Sequence, residues 1–136
     1  MRAAPALIVV CLVVLVAGCG IRGRAGGAAE GGPRPRSTAT LAIISPEPGS
    51  TVEGDSVRVR LSLTGATLAL QASPDVVPDE GHIHLKLDGG LVSMTGALEQ
   101  DIPIAKGAHI IEAEFVANDH LPFHPRVITA VTFVAP

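Results

Sequence analysis

Strict alternation of apolar and polar residues is the feature that most constrains the fold of this chain. The stretch SVRVRLSLT at residues 56–64 places four branched apolar residues at every second position. From residue 41 onward, short runs with this period of two are bounded by Gly, Pro or Asp, and no twelve-residue segment shows stronger helical spacing. The pattern therefore predicts an all-β fold whose sheets are buried on one face.

Seven segments have this strand pattern. They are residues 41–45, 56–64, 67–71, 81–88, 91–95, 107–117 and 126–135. Seven short strands within residues 41–136 are typical of a single β-sandwich domain. Because the chain has no Trp, no Tyr and only three Phe, its core must consist mainly of Val, Ile, Leu and Ala.

Two segments resemble parts of bacterial immunoglobulin-like domains. SPEPGSTVEGDSVRVRLSLTG at residues 45–65 is similar to their first hairpin, and KGAHIIEAEF at residues 106–115 is similar to a later strand. The resemblance implies an immunoglobulin-like β-sandwich over residues 41–136. It also assigns His109 a structural role, as the corner residue whose side chain bonds to nearby backbone. Such a fold does not by itself specify a function.

The first residues have the pattern of an export signal. Arg2 precedes an apolar run at residues 7–16, which is about half the length needed to cross a bilayer, and VAGC follows at residues 16–19. VAGC resembles the bacterial lipobox. This resemblance implies removal of residues 1–18, lipidation of Cys19 and an extracytoplasmic protein anchored to the cell membrane, or to the outer membrane of a two-membrane bacterium. The alternative is an ordinary secretory signal followed by an unmodified cysteine.

Charge divides the chain into a basic and an acidic part. Residues 1–40 contain five Arg and one Glu, whereas residues 41–136 contain five Lys or Arg and twelve Asp or Glu. The Gly, Pro and Arg content of residues 19–40 predicts a flexible tether that follows the lipidated cysteine. The acidic domain argues against nucleic acid as a partner. Four arginines of the tether either contact anionic lipid headgroups or are simply solvated. They are Arg22, Arg24, Arg34 and Arg36.

All five histidines lie within residues 82–124, and this clustering is the main chemical signal. His82 and His84 are two positions apart on a predicted strand, so their side chains share one face. Imidazole nitrogens in an exported domain suit copper or zinc. The predicted ligands are His82, His84, His120 and His124, with Asp88 and Asp119 as partners of the ligands.

Two alternatives to a metal site remain open. In one, the histidines bond backbone and carboxylate groups and only fix the conformation of loops. In the other, the domain is an envelope module that binds another protein without a metal.

Two histidine-containing motifs resemble a family of exported bacterial proteins catalogued as domain of unknown function 4399. They are GHIHLKLD at residues 81–88 and NDHLPFHP at residues 118–125, although Ile83 stands where that family usually has a histidine. The resemblance implies export and fold. It carries over the following residues of this chain: His82, His84, Asp88, Asp119, His120, Pro122, His124 and Pro125.

The sequence predicts a domain that is not an enzyme. Ser73 and Ser93 lie outside any nucleophile-elbow motif, and the chain has no Gly-rich phosphate loop. Glu112 and Glu114 alternate along a predicted strand as a solvated face would, so they predict no paired-carboxylate site.

Overall fold

The computed structural model describes residues 33–69 and 71–136. The predicted signal peptide, Cys19 and residues 20–32 of the predicted tether lie outside these residues. Within the described part, the chain forms eight β-strands and no helix. A segment that could cross a membrane as a long apolar helix is accordingly not found among the described residues.

The strands have the following bounds: β1 Thr40–Ser45, β2 Ser56–Thr64, β3 Thr67–Leu68, β4 Glu80–Leu87, β5 Gly90–Thr95, β6 Glu99–Pro103, β7 Gly107–Ala117 and β8 Pro122–Ala135.

The strands form two sheets. One has the order β1-β2-β6, and the other has the order β3-β4-β7-β8 with β5 paired to β4. All pairings are antiparallel except the short contact between β3 and the start of β4. The prediction of an all-β, immunoglobulin-like sandwich is confirmed.

The core lies between the sheets and follows the alternation of the sequence. Val57 and Val59 of β2 are fully buried, as are Ile83 and Leu85 of β4. The core contains few aromatic side chains, but all three phenylalanines of the chain are buried in it. Phe115 and Phe123 stack with ring centroids 5.3 Å apart. The expected core of branched aliphatic side chains is thus organised around a few aromatic rings.

Three strand predictions were wrong. The sequence missed β6 at Glu99–Pro103, because EQDIP has one apolar side chain in the core and otherwise polar residues and a proline. As an edge strand, β6 pairs its Asp101 with Arg58 of β2. The strand predicted at residues 67–71 is only Thr67–Leu68, and β8 begins four residues before the predicted position 126.

The folded unit also begins earlier than the predicted boundary at residue 41. Arg34 donates two hydrogen bonds to the carboxylate of Asp119 at 2.6 and 2.9 Å. Ser37 Oγ and the Thr38 backbone N–H both donate to Asp79. Residues 34–38 therefore lie along the sandwich, and Arg34 is neither a solvated tether residue nor available to lipid headgroups. We call residues 34–38 the entry segment.

Candidate metal centre

His82 and His84 lie on β4, a strand with neighbours on both edges. His82 is opposite Val116 of β7, and His84 is opposite Glu114 of the same strand. Both side chains occupy the face directed away from the core, as predicted, but that face is not open solvent at His82. His82 is only 6% exposed, and His84 is half-buried.

Gly81 explains how β4 comes close enough to β7 to bury His82. A Cβ atom at Gly81 would lie 1.8 Å from the carbonyl oxygen of Val116. Only glycine leaves room for such an approach of two backbones. The glycine immediately before the histidine pair thus has a packing role.

His120 reaches the pair from the turn between β7 and β8. Its φ of 63° lies in the left-handed region, where histidine is among the more tolerant residues. The turn is held by a hydrogen bond from the His120 N–H to the Ala117 carbonyl. The neighbouring Asp119 is fixed by Arg34 of the entry segment, whose guanidinium also donates to the carbonyls of Leu121 and Pro122.

Three imidazoles therefore converge in the described part of the chain. His82 Nε2 is 2.8 Å from His120 Nδ1, and His84 Nε2 is 3.3 Å from the same atom. One nitrogen of each ring lies within 4.8 Å of the others. Ligands at ~2.0 to 2.1 Å from a tetrahedral ion are about 3.3 Å from one another, so small side-chain movements would allow all three to bind one ion.

The electrostatic environment keeps the buried imidazoles neutral. Burial, followed by the neighbouring His120 and His84, lowers the pKa of His82 to about 4, although Asp119 opposes these effects. Burial, followed by the nearby His120, also lowers the pKa of His84. A neutral imidazole has a free lone pair, which is the form that binds a metal ion.

His124 does not join this group. It lies exposed on β8, not in a loop as predicted, because β8 starts at Pro122. The His124 backbone N–H donates to the Pro35 carbonyl of the entry segment. The four-histidine ligand set predicted from the sequence is thus reduced to His82, His84 and His120 in the structure.

His109 lies elsewhere and has two hydrogen-bond partners. Its Nδ1 bonds Asp88 Oδ2 at 2.7 Å, and its Nε2 bonds the Ala105 carbonyl at 2.8 Å. The Asp88 hydrogen bond is the main reason that the pKa of His109 is raised, and the same bond lowers the pKa of Asp88. Asp88 is therefore a partner of His109 and not of the three converging histidines.

The carboxylates nearest the three histidines are already paired. Glu114 is 4% exposed and accepts two hydrogen bonds of 2.6 Å from Arg126, whose exposed guanidinium covers it. Lys86 Nζ donates a hydrogen bond of 2.7 Å to Glu112 Oε1. The prediction that Glu112 and Glu114 form a solvated strand face was wrong for Glu114, because the long Arg126 side chain shields it from water.

Met94 is a neighbour of the centre that the sequence did not predict. A cavity of about 110 Å³ opens beside the histidines and is lined by His82, His120, Met94 and Gln71, among others. Met94 lies on β5 directly opposite His84. The signal that could have identified it is this cross-strand register, which becomes visible only when the pairing of β4 with β5 is known.

Comparisons with known proteins give structural similarity only. No protein-family model matches the chain, and no curated protein matches it. Among solved structures, fibronectin(III)-like modules of Clostridium thermocellum CbhA are similar with a TM-score of 0.47 and 13% identity, over 71% of this chain and 46% of that chain. An engineered protein is similar with a TM-score of 0.43 and 15% identity, over 72% of this chain and 20% of the other. This chain thus spans less than half the length of either structure.

Proposed function

We propose that this chain is a membrane-anchored extracytoplasmic lipoprotein whose non-catalytic β-sandwich binds a copper or zinc ion through His82, His84 and His120. The proposal joins two parts of the sequence. The anchor rests on the lipobox-like VAGC and Cys19, and the ion site rests on the three converging imidazoles.

Convergence of three imidazole nitrogens within 4.8 Å of one another is the observation that supports the metal site. His120 comes from a segment 36 residues away from His84, so the grouping is not a consequence of local sequence. A hydrogen bond between His82 and His120 would satisfy those two rings without an ion. It does not account for a third imidazole at 3.3 Å from the same nitrogen, where a metal ion would satisfy all three lone pairs.

Isothermal titration calorimetry tests the site on the detergent-solubilised full chain, purified with an affinity tag that contains no histidine. We expect Zn(II) and Cu(II) to bind at pH 7.5 with one ion per chain. His120→Asn should abolish this binding, because asparagine tolerates the left-handed backbone at this position but lacks the imidazole.

His124→Asn is the matched control. It makes the same chemical change four residues away, at an exposed histidine outside the converging group. Equal loss of binding in both variants, or no binding heat in the unmodified chain, would refute the metal site. Unchanged thermal unfolding of the apo variants shows that the effect concerns binding and not folding.

Metabolic labelling with a palmitate analogue tests the anchor. Cys19→Ala should lose both the label and the membrane fractionation, whereas Cys11→Ala, within the apolar run, should retain both. Label that persists in Cys19→Ala would contradict lipidation at this residue.

A metal-free interaction module is the second candidate, and the exposed edge of β5 favours it. Leu91 and Val92 are 50% and 43% exposed on this strand, and β5 pairs with β4 on one side. An edge of this kind can accept an added strand from a partner protein. A photo-cross-linking residue at position 92 should then trap an envelope protein, and His120→Asn should leave the cross-link unchanged.

A further inference from the structure

We propose that the centre selects monovalent copper and that the thioether of Met94 is its fourth ligand. This inference rests on the proposed metal site and adds to it a ligand and a choice of ion. It concerns binding of the ion alone and involves no redox step.

The register of β4 and β5 places Met94 beside a proposed ligand. Met94 is the direct cross-strand partner of His84. Side chains directly opposite in an antiparallel pair project from the same face, with Cβ atoms about 4.5 to 5.5 Å apart. Met94 also lines the same cavity as His82 and His120. Its flexible side chain therefore has access to the space on which the three imidazoles converge.

Competing carboxylate ligands are occupied by arginines. Glu114 flanks His84 on the side opposite Met94, but Arg126 bonds both of its oxygens. Asp119 precedes His120, but Arg34 bonds both of its oxygens. Recruiting either carboxylate would break a bidentate ion pair, so the centre offers an ion few hard oxygen ligands. The amide oxygen of Gln71, which lines the cavity, is a hard ligand that competes with Met94.

Met94 makes little contribution to the core, which leaves its sulfur available. Met94 is 57% exposed and lies on the edge strand β5. Thioether sulfur is a soft ligand and favours Cu(I), whereas Zn(II) is bound well by imidazoles with oxygen or thiolate ligands. Three neutral imidazoles and one thioether carry no negative charge, and such a ligand set suits a monovalent ion better than a divalent one.

Competition with a chromophoric Cu(I) chelator, under reducing and oxygen-free conditions, tests this inference on the detergent-solubilised full chain. Met94→Leu keeps the size and apolar character of the side chain but removes the sulfur. We expect its Cu(I) affinity to fall by about tenfold or more, because mutating a group that only hydrogen-bonds to a metal ligand already costs about tenfold. Its Zn(II) affinity should not change.

Methyl NMR gives an independent readout. Met94 and Met1 are the two methionines of the chain, so labelling with ¹³C at the methionine methyl gives one informative resonance, which Met94→Leu assigns. The Met94 methyl should shift on addition of Cu(I), which is diamagnetic, and shift distinctly less on addition of Zn(II), which would reach it only through the neighbouring imidazole rings.

The outcomes separate this inference from the proposed function. Cu(I) binding that neither moves the Met94 methyl nor weakens in Met94→Leu would overturn the thioether ligand and leave the three-histidine site intact. Loss of Cu(I) affinity in Gln71→Ala, with Met94→Leu unaffected, would likewise overturn it in favour of an amide ligand. No binding of Zn(II), Cu(II) or Cu(I) to the unmodified chain would overturn both proposals.

Discussion

Gly81→Ala should unfold the sandwich at a distinctly lower temperature, because a methyl group has no room between β4 and β7. The added Cβ would lie 1.8 Å from the Val116 carbonyl oxygen and 2.9 Å from the Val116 carbonyl carbon, whereas ordinary contacts begin at 3.4 Å. The strands would have to separate by about 1.6 Å, the difference between 3.4 and 1.8 Å, at the pairs Gly81 with Ala117 and His82 with Val116. Backbone cannot rotate away as a long side chain can.

We estimate the cost from measured overpacking. Extra methyl or methylene groups in packed interiors cost typically 1 to 3 kcal/mol, and a clash with backbone in a central ladder belongs at the upper end, about 3 kcal/mol. For a domain of this size that free energy lowers the melting temperature by roughly 12 to 24 °C. His82 follows Gly81 directly, so the displacement should also weaken Zn(II) binding to the histidines.

Far-UV circular dichroism with a chelator present is a suitable assay, because the chain has no Trp or Tyr for intrinsic fluorescence. Gly90→Ala is the matched control, since its Cβ would meet the Leu87 carbonyl oxygen at 3.4 Å, within ordinary contact. A melting temperature of Gly81→Ala equal to that of Gly90→Ala would refute the close approach of β4 and β7.

Three further changes test contacts at the centre and at the separate His109–Asp88 pair. Arg34→Gln should weaken Zn(II) binding in calorimetry, because it releases Asp119 and the turn that carries His120. An unchanged affinity would mean that the turn keeps its conformation without Arg34. In the presence of a chelator, the melting temperature should fall as the pH rises above the ordinary histidine pKa of about 6.5 and through the raised pKa of His109, since the folded state then loses a proton that stabilises it. Asp88→Asn should remove this fall, and an identical pH profile would contradict the pairing. Below pH 6.5 stability should also fall, because the unfolded chain binds protons that His82, with its pKa of about 4, and His84 do not yet bind in the folded state. His82→Asn should make this acid-side loss of stability smaller, with His84 supplying what remains.

The sequence predicted the fold well where burial is periodic. In β2 and β4, alternate residues face the core, so the pattern itself identifies strand, face and buried side chains. In β6, Ile102 is the one buried residue among five, and the strand is defined by backbone pairing with β2 and by charged partners across the strands. Pairing partners of this kind are distant in sequence and leave no periodic signal.

The candidate site was predictable only in part for the same reason. The spacing of His82 and His84 gives their common face, but the choice of His120 over His124 depends on where β8 begins. The roles of Met94 and Arg34 depend on contacts across 10 and 85 residues of sequence respectively. Residue type alone indicated neither of them.

The entry segment has a consequence for how the protein responds to its own ligand. Arg34 holds Asp119, and Asp119 precedes the histidine that completes the cluster. If releasing the entry segment weakens ion binding, thermodynamic reciprocity requires that ion binding hold the entry segment more tightly, by the same factor. Binding of an ion at the centre would then slow protease cleavage and amide hydrogen exchange at residues 34–38, which lie outside the centre.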